Sequence, residues 1–587
     1  MLCLVSLLWS CAAPLGPADV DADHDTEPEP ATLTDGDTDL PETPPVDPSG
    51  LPADRMVPWQ GNVGVEGGIP ARPEVRNCVT EDGVPTDGVR DAAPAIRDCL
   101  ARTPAGHAAY LPAGTYAIRS REQGEDGIRI PSDVTLRGDG PDTILSAEMS
   151  LEHVVYIGQG YSADRLVPVI AGGAKGSRQL TLQDTTGIEA GDYLLVNQLN
   201  DRTVPVTPVS GWGDGDCSWC DQFSATRLRA QVVEVTGKVG DELELGAAGL
   251  FHDLSDALEP TAMRLENMGE YAGLEDLTVV NGEGASSGWR VNVMIEGAAN
   301  SWVKNVRVEN CGERCIDLRT YFYRVEVRDS TITGCIDHVN SDTCYGTEIA
   351  EGSNALIENN IYDDTSNGPI AMWGASGNVI AYNYIHDVFR FADRDSWFWP
   401  NAWTHGAHTG FNLWEGNDFA GLNFDSYWGS SSHNTVFRNR IDGENAAQGL
   451  VPGHVEVAAI IVETNNPATT IVGNVLGSQG FSNEYQEVDT VYWDTNAIYA
   501  IGVNGDNGVF DSMFRHHNYD YVRKQVIDCD DAGEPGCQTG DPNVAIPPSL
   551  YLGAAPAWFE GATWPPFDPE GPVVSDLPAK IRFEATR

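Results

Sequence analysis

Two imidazoles three residues apart, in THGAHTG (404–410), and a carboxylate among aromatics, in NFDSYWG (423–429), are the groups of this chain best suited to acid–base chemistry. His405 and His408 titrate near neutrality, and Asp425 supplies a carboxylate. YGTEIAEG (345–352) adds Glu348, and GPIAMWG (368–374) adds Trp373. Between these segments, VFRFADRDSWFWPNAW carries Arg390, Arg394, Asp395, Trp397 and Trp399. The indole and phenol rings of Trp373, Trp397, Trp399, Tyr427 and Trp428 offer flat apolar faces with polar edges, suited to the C–H faces of sugar rings. Asp425, His405, His408, Asp395 and Glu348 are the candidate catalytic groups, and Arg390 and Arg394 the candidate cations for a charged substrate. As metal ligands, His405 and His408 lack a third partner fixed by spacing, so no metal centre is assigned.

These residues are brought together by a repeat. Six segments align on a central residue: EVRDSTI on Ser330, ALIENNI on Asn359, VIAYNYI on Asn383, LWEGNDF on Asn417, TVFRNRI on Asn439 and TIVGNVL on Asn474. An apolar residue stands three before the centre in every one: Val327, Leu356, Ile380, Trp414, Val436 and Ile471. Another stands two after it: Ile332, Ile361, Ile385, Phe419, Ile441 and Leu476. A second set, Asn354, Asn378, Asn412 and Asn434, recurs five residues before the centre. Short strands that alternate inward and outward, with a polar residue stacked at each bend, predict an all-β, single-stranded right-handed parallel β-helix. Segments around Asn305 and Asp276 fit one residue out of register and are read as weaker coils. By ladder position, Arg438 points outward at the far bend and Glu415 lies on an outer face.

The centres lie 22 to 35 residues apart, so some coils carry surplus chain. The surplus falls around 334–345, 386–404 and 442–455, after the second inward residue and before the next strand. Insertions stacked on one edge of a flat strand surface build a cleft wall. Residues 165–262 break the repeat and read as a β-rich insertion of short strands and glycine turns.

The chain begins MLCLVSLLWSCAAP, an apolar run ending at Cys11, read as a signal peptide with Cys11 as a lipid anchor. Residues 17–50 are acidic and rich in Pro and Thr, a composition that cannot bury a core and serves as a tether. Beyond Cys3 and Cys11, the cysteines fall in close pairs: Cys78/Cys99, Cys217/Cys220, Cys311/Cys315, Cys335/Cys344 and Cys529/Cys537. That usage fits an oxidising, exported location. The formal net charge of −52 argues against nucleic acid as a partner. It also means that a polyanionic substrate needs a local arginine cluster or a bound cation. The division expected along the chain is 1–16 signal, 17–50 tether, 51–164 N-terminal cap and first coils, 165–262 insertion, 263–480 central coils and 481–587 C-terminal coils and cap, in a monomer whose only membrane contact is the lipid anchor.

With these residues in hand, the chain resembles the pectate-lyase superfamily in its broad sense, including polygalacturonase-like and epimerase-like β-helix proteins. WQGNVGVEGGIP (59–70), TDGVRDAAPAIRDCLA (86–101), AAYLPAGTYAI (108–118) and VTLRGDGPDTIL (134–145) follow the order of that family's capping helix and first coils. RHHNYDYV (515–522) and PPSLYLGAAPAWFEGATWPPF (547–567) resemble an ending found in some members. The NTD, DD, GHG and RIK signatures of a polygalacturonase are not reproduced. The resemblance implies a surface or secreted protein acting on a polysaccharide, as hydrolase or lyase. A hydrolase would use Asp425 with Asp395 or Glu348 as acid and base. A lyase would use an Arg or His as base, with Ca²⁺ or a cationic side chain neutralising a uronate carboxylate. The alternative from a different class is a non-catalytic glycan-binding or adhesin β-helix.

Overall fold

At one corner of every coil the backbone enters the left-handed region, and the next residue ties that coil to its neighbours. In the computed structural model the corner residues are Asp276, Asn305, Asp329, Asn359, Tyr382, Gly416, Arg438, Gly473 and His517, with φ from +51° to +71°. Glycine and short polar residues tolerate this region best. Directly after the corner, Asn360, Asn383, Asn417, Asn439, Asn474 and Asn518 form a buried ladder that ends below at Ser330. Each Asn Oδ1 accepts from the backbone N–H of the preceding rung, at 2.8–3.0 Å. Each Nδ2 donates to a carbonyl of that coil, those of Val327, Ile357, Ile380, Trp414, Val436 and Ile471 in turn. A buried amide is thereby satisfied only because it repeats.

The ladder corrects one expected register. Asn360, not Asn359, is the rung; Asn359 is the corner, its Nδ2 donating to Asp329 Oδ1 at 2.7 Å. Accordingly Ile357 and Tyr362 point into the core, while Leu356 and Ile361 face outward against other segments. ALIENNI has two adjacent asparagines and adjacent apolar pairs, and a one-residue slip exchanges the faces of a strand. For the same reason the second ladder runs Asn378, Asn412, Asn434 and ends at the Ala355 N–H, leaving Asn354 outside it.

The described residues are 50–121, 126–147, 151–160, 162–200, 220, 226–281, 290–336, 344–388, 400–444, 458–490, 495, 497–529, 537–570 and 573–587. They belong to one unit, Pro45–Arg587. The strands form two long sheets wound about a common core, a right-handed parallel β-helix, as the repeat predicts. The first sheet has 11 strands, including Arg314–Arg319, Tyr345–Ile349, Asn367–Met372, Ala402–His405, Leu422–Phe424 and Ile460–Glu463, all paired in parallel. The second has 23 strands and folds at the corner into two ribbons. Between them lies a continuous apolar core in which Ile316, Leu318, Ile349, Ile380, Trp414, Val436 and Ile471 are fully buried. Each such side chain stabilises the fold by roughly 1.5–3 kcal/mol.

Residues 162–266 contribute a closed six-stranded barrel, Ser162–Ala171, Gln179–Leu182, Tyr193–Gln198, Arg229–Val239, Glu242–Leu245 and Thr261–Glu266. Alternation gives it two faces: Leu194 and Val196 fill the barrel, whereas Tyr193 and Leu195 pack on Tyr321 and Tyr323 of the coil turns. The C-terminal segment lies along the outside of the first ribbon, with Tyr551, Phe559 and Phe567 against Leu356, Val379, Leu413 and Phe437. Glu415 is buried under it, accepting from Leu550 N–H and Tyr382 O–H, and Arg438 donates to the carbonyls of Pro547, Ile546 and Phe567. Both outward placements follow the sequence reading. Helix Ala93–Arg102 buries Ile96, Cys99 and Leu100, and Cys99 is bonded to Cys78. Cys311–Cys315, Cys335–Cys344 and Cys529–Cys537 are also disulfides.

Candidate functional site on the outer face of the first sheet

Parallel register lines up side chains from successive coils. Leu318, Ile349, Ala371, Thr404, Phe424 and Val462 share one row, which points inward. The rows on either side of it point outward by alternation. One outward row reads Asp317, Glu348, Ile370, Trp403, Asn423, Ile461. The other holds Arg319, Met372, His405, Asp425 and Glu463, at the C-terminal ends of their strands. The outer face therefore carries two polar clusters separated by Ile370, Met372 and Trp403.

His405 and Asp425 stand on adjacent strands and meet. Nδ1 of His405 donates to Asp425 Oδ2 at 2.5 Å, and Asp425 Oδ1 accepts from Tyr427 N–H at 3.2 Å. A carboxylate accepts, so Nδ1 carries the proton and Nε2 of the neutral ring holds a free lone pair. The imidazole stacks on Tyr427 (centroids 6.1 Å, planes 17° apart), and Trp403 meets it edge-on. Burial pushes the His405 pKa down, but the charge and hydrogen bond of Asp425, with Glu348 and Glu463 adding, outweigh it and leave the pKa raised. The His405 side chain keeps 15% of its surface exposed, against 3% for Asp425.

Glu463 completes this cluster. Its carboxyl accepts from Ser426 N–H (3.0 Å), Ser426 O–H (2.9 Å) and Asn423 Nδ2 (3.3 Å). Burial, reinforced by the nearby Asp425 charge, pushes its pKa up to about 7. Asn466 backs the same turn, accepting from Ser431 N–H and O–H.

The second cluster is built on Glu348. Arg314 Nε and Arg319 Nη2 each donate to one of its oxygens at 2.6 Å, and the carboxylate is fully buried. Burial opposes its charge, but the two guanidiniums prevail and lower its pKa. Asp317, beside it and also fully buried, stands 3.8 Å from Arg319 Nε, and burial raises its carboxyl to about 7.

The sequence-predicted residues separate accordingly. His405, Asp425 and Tyr427 converge, with Trp428 edge-on to Tyr427 at 4.7 Å. Glu348 is corrected from an approachable acid to the centre of an arginine clamp. Trp373 is corrected from an open platform to a buried ring, 3% exposed, beneath the Arg319 guanidinium at 5.3 Å. His408 does not join His405: it sits buried at a left-handed corner, φ +58°, where its charge bears on His252. Asp395, Arg390, Arg394, Trp397, Trp399 and Cys11 lie outside the described residues. The three insertions leave after Cys335, Ile385 and Ile441 and rejoin before Tyr345, Ala402 and Ile460. They thus attach at the N-terminal edge of the first sheet, whereas His405, Asp425 and Glu463 stand at its C-terminal edge.

Sequence reasoning missed Glu463, Asn423, Arg314, Arg319 and Asp317. The alternation in CIDLR (315–319) placed Asp317 and Arg319 on one face, and aligning it with TEI (347–349) would have set Asp317 beside Glu348. Among the described residues, no group of three or more His, Cys, Asp or Glu is spaced to hold a metal ion. No helix among them is long and apolar enough to cross a membrane.

No protein-family model matches the sequence, and no curated protein matches it. Among solved structures the chain is similar to the tailspike protein gp49 from Pseudomonas phage LKA1, at 12% identity over 76% of this chain and 71% of that one, with a TM-score of 0.49. It is also similar to the gp54 tailspike of Acinetobacter baumannii bacteriophage AP22, in complex with A. baumannii capsular saccharide, at 10% identity over 77% and 68% of the two chains, with a TM-score of 0.44. A third similar structure is the A-module of the Azotobacter vinelandii mannuronan C-5 epimerase AlgE4, at 13% identity over 76% and 95%, with a TM-score of 0.37.

Proposed function

We propose that this chain is an exported, surface-tethered enzyme that acts on a polysaccharide along the outer face of the first sheet, with His405 as its acid–base group. The observation that carries the reading is the His405–Asp425 pair, whose one uncommitted ring nitrogen stands beside Tyr427 and Trp403. Glu348, Asp425 and Glu463 all have both oxygens engaged. That favours a lyase over a two-carboxylate hydrolase, which needs two free acids flanking the glycosidic bond. In the lyase, Nε2 takes the proton on the carbon bearing the uronate carboxylate. Its electron pair forms the ring double bond, the glycosidic C–O bond breaks, and the leaving oxygen takes a proton. A cationic side chain, for which Arg390 and Arg394 are the candidates, would neutralise the carboxylate so that the proton can leave; a bound Ca²⁺ would supply the same charge.

The test incubates the chain with neutral and uronate polysaccharides, with and without calcium, and reads reducing ends and the ultraviolet absorbance of unsaturated uronate. Both signals together, lost in H405Q, are expected. Reducing ends without absorbance mean a hydrolase. Neither signal, with glycan binding retained, means the second reading, a non-catalytic glycan-binding protein. The engagement of Glu348, Asp425 and Glu463 is the observation in favour of that second reading.

A further inference from the structure

The C-terminal helix, Pro578–Ala585, lies on the second ribbon of the folded sheet and packs Ala579 and Phe583 against Ile361 and Tyr384. Beside the end of the helix, on the strands of earlier coils, is a groove of about 330 Å³. Ligand pockets typically span about 300–1,000 Å³. Leu277, Ile361 and Phe583 supply apolar wall, and the partly exposed Thr331 and Thr333 supply hydroxyls. Three arginines line it, Arg307, Arg582 and Arg587, against two carboxylates, Asp329 and Asp363.

Arg307 pairs with Glu309, and Arg587 stands 3.6 Å from Asp363 and over the Phe583 ring. Arg582 is different. One of its donors reaches Asn359 O at 2.6 Å, and among the described residues no carboxylate forms an ion pair with it. Burial lowers its pKa, only partly offset by the charge of Asp329 across the groove and aided by that of Arg328. A guanidinium presents five donors in a planar fork that matches a carboxylate. Here it stands next to an apolar wall and a pair of hydroxyls, the combination that a sugar acid offers in reverse.

We infer that this groove is a second, non-catalytic site that binds the carboxylate-bearing ring of an acidic saccharide. The choice of a saccharide rests on the function proposed above, but the groove lies on a different sheet from His405. Such a site would hold an acidic polymer on the β-helix independently of its passage across the first sheet.

The experiment is hydrogen exchange of the full chain carrying H405Q, titrated with trigalacturonate and with its carboxyl-reduced, neutral counterpart. Trigalacturonate is expected to protect Thr331–Cys335 and Pro578–Arg587, and the neutral trisaccharide is not. T333F, which fills the groove, and R582Q are each expected to weaken that protection at least about 10-fold while leaving cleavage by the His405 enzyme unchanged. T333F alone is sufficient if R582Q fails to fold. No protection of these segments, equal protection by the neutral trisaccharide, or protection unaltered in T333F would overturn the proposal. Failure of the catalytic reading is seen separately, as cleavage that survives H405Q, and does not alter the exchange result.

Discussion

Asp425 does to His405 two things that can be measured apart. Its oxygen on Nδ1 fixes the tautomer, and its charge raises the imidazole pKa. H405Q removes the group itself, and turnover is expected to fall by about 100-fold or more, with thermal stability little changed. D425N keeps a hydrogen-bonding side chain but removes the charge. The acidic limb of the pH–rate profile, where His405 becomes neutral and able to act as base, is then expected to move to lower pH. A limb that stays in place in D425N would show that His405 is not the group that titrates. Tyr427 stacks on the ring without bonding to it, so Y427F should leave that limb where it is while Y427A raises KM.

At the scale of the coil, the corner and its ladder separate two asparagines that stand side by side. Asn360 is a buried rung with amide bonds to the coils on both sides, and Asn359 is an outward corner bonded to Asp329. N360A strands the Ser330 N–H and the Val327 carbonyl, a loss of roughly 3 kcal/mol or more. N359G keeps the left-handed corner, which glycine adopts freely, and should cost less than about 1 kcal/mol. Denaturant midpoints of the two variants decide the register: equal losses, or the reverse order, would contradict it. The disulfides Cys311–Cys315 and Cys335–Cys344 work at the same scale, on adjacent strands next to an insertion. Reduction is expected to loosen this edge before the ladder melts, read as early exchange in Thr331–Ile336.

At the scale of the whole molecule, several buried carboxyls among the described residues share one sign. Asp317, Glu358, Glu415 and Glu463 are each pushed up to about 7, in every case mainly by burial. An acid whose pKa is raised by folding binds its proton more tightly in the folded chain. Its contribution is therefore fully present below the unfolded value and is lost as pH rises toward 7. The net charge of −52 adds repulsion in the same direction. Tm is expected to be a few degrees lower at pH 8 than at pH 5. E463Q, which has no charge to bury, should narrow that gap; a gap that widens would show that the Glu463 carboxylate is stabilising as an ion.

The β-helix was legible in the sequence because stacking forces one residue type to recur. An amide at a bend is affordable only if the next coil supplies its partner, so Asn383, Asn417, Asn439 and Asn474 betray the fold on their own. His405 and Asp425 were legible as candidates because imidazole, carboxylate and aromatic residues crowd two neighbouring strands. The rest depended on which way side chains face. ALIENNI offers two equivalent registers, and only neighbours on both sides choose Asn360. Glu348 and Trp373 have the chemistry of a site, yet Arg314 and Arg319, 34 and 29 residues before Glu348, clamp its carboxylate, and Arg319 also covers Trp373. His405 and His408 stand three apart in the sequence, yet His405 ends a strand and meets Asp425 while His408 sits at a left-handed corner. Composition and spacing determine the scaffold, because repetition is written along the chain; pairing across coils determines the site, because its partners meet only when the coils are stacked.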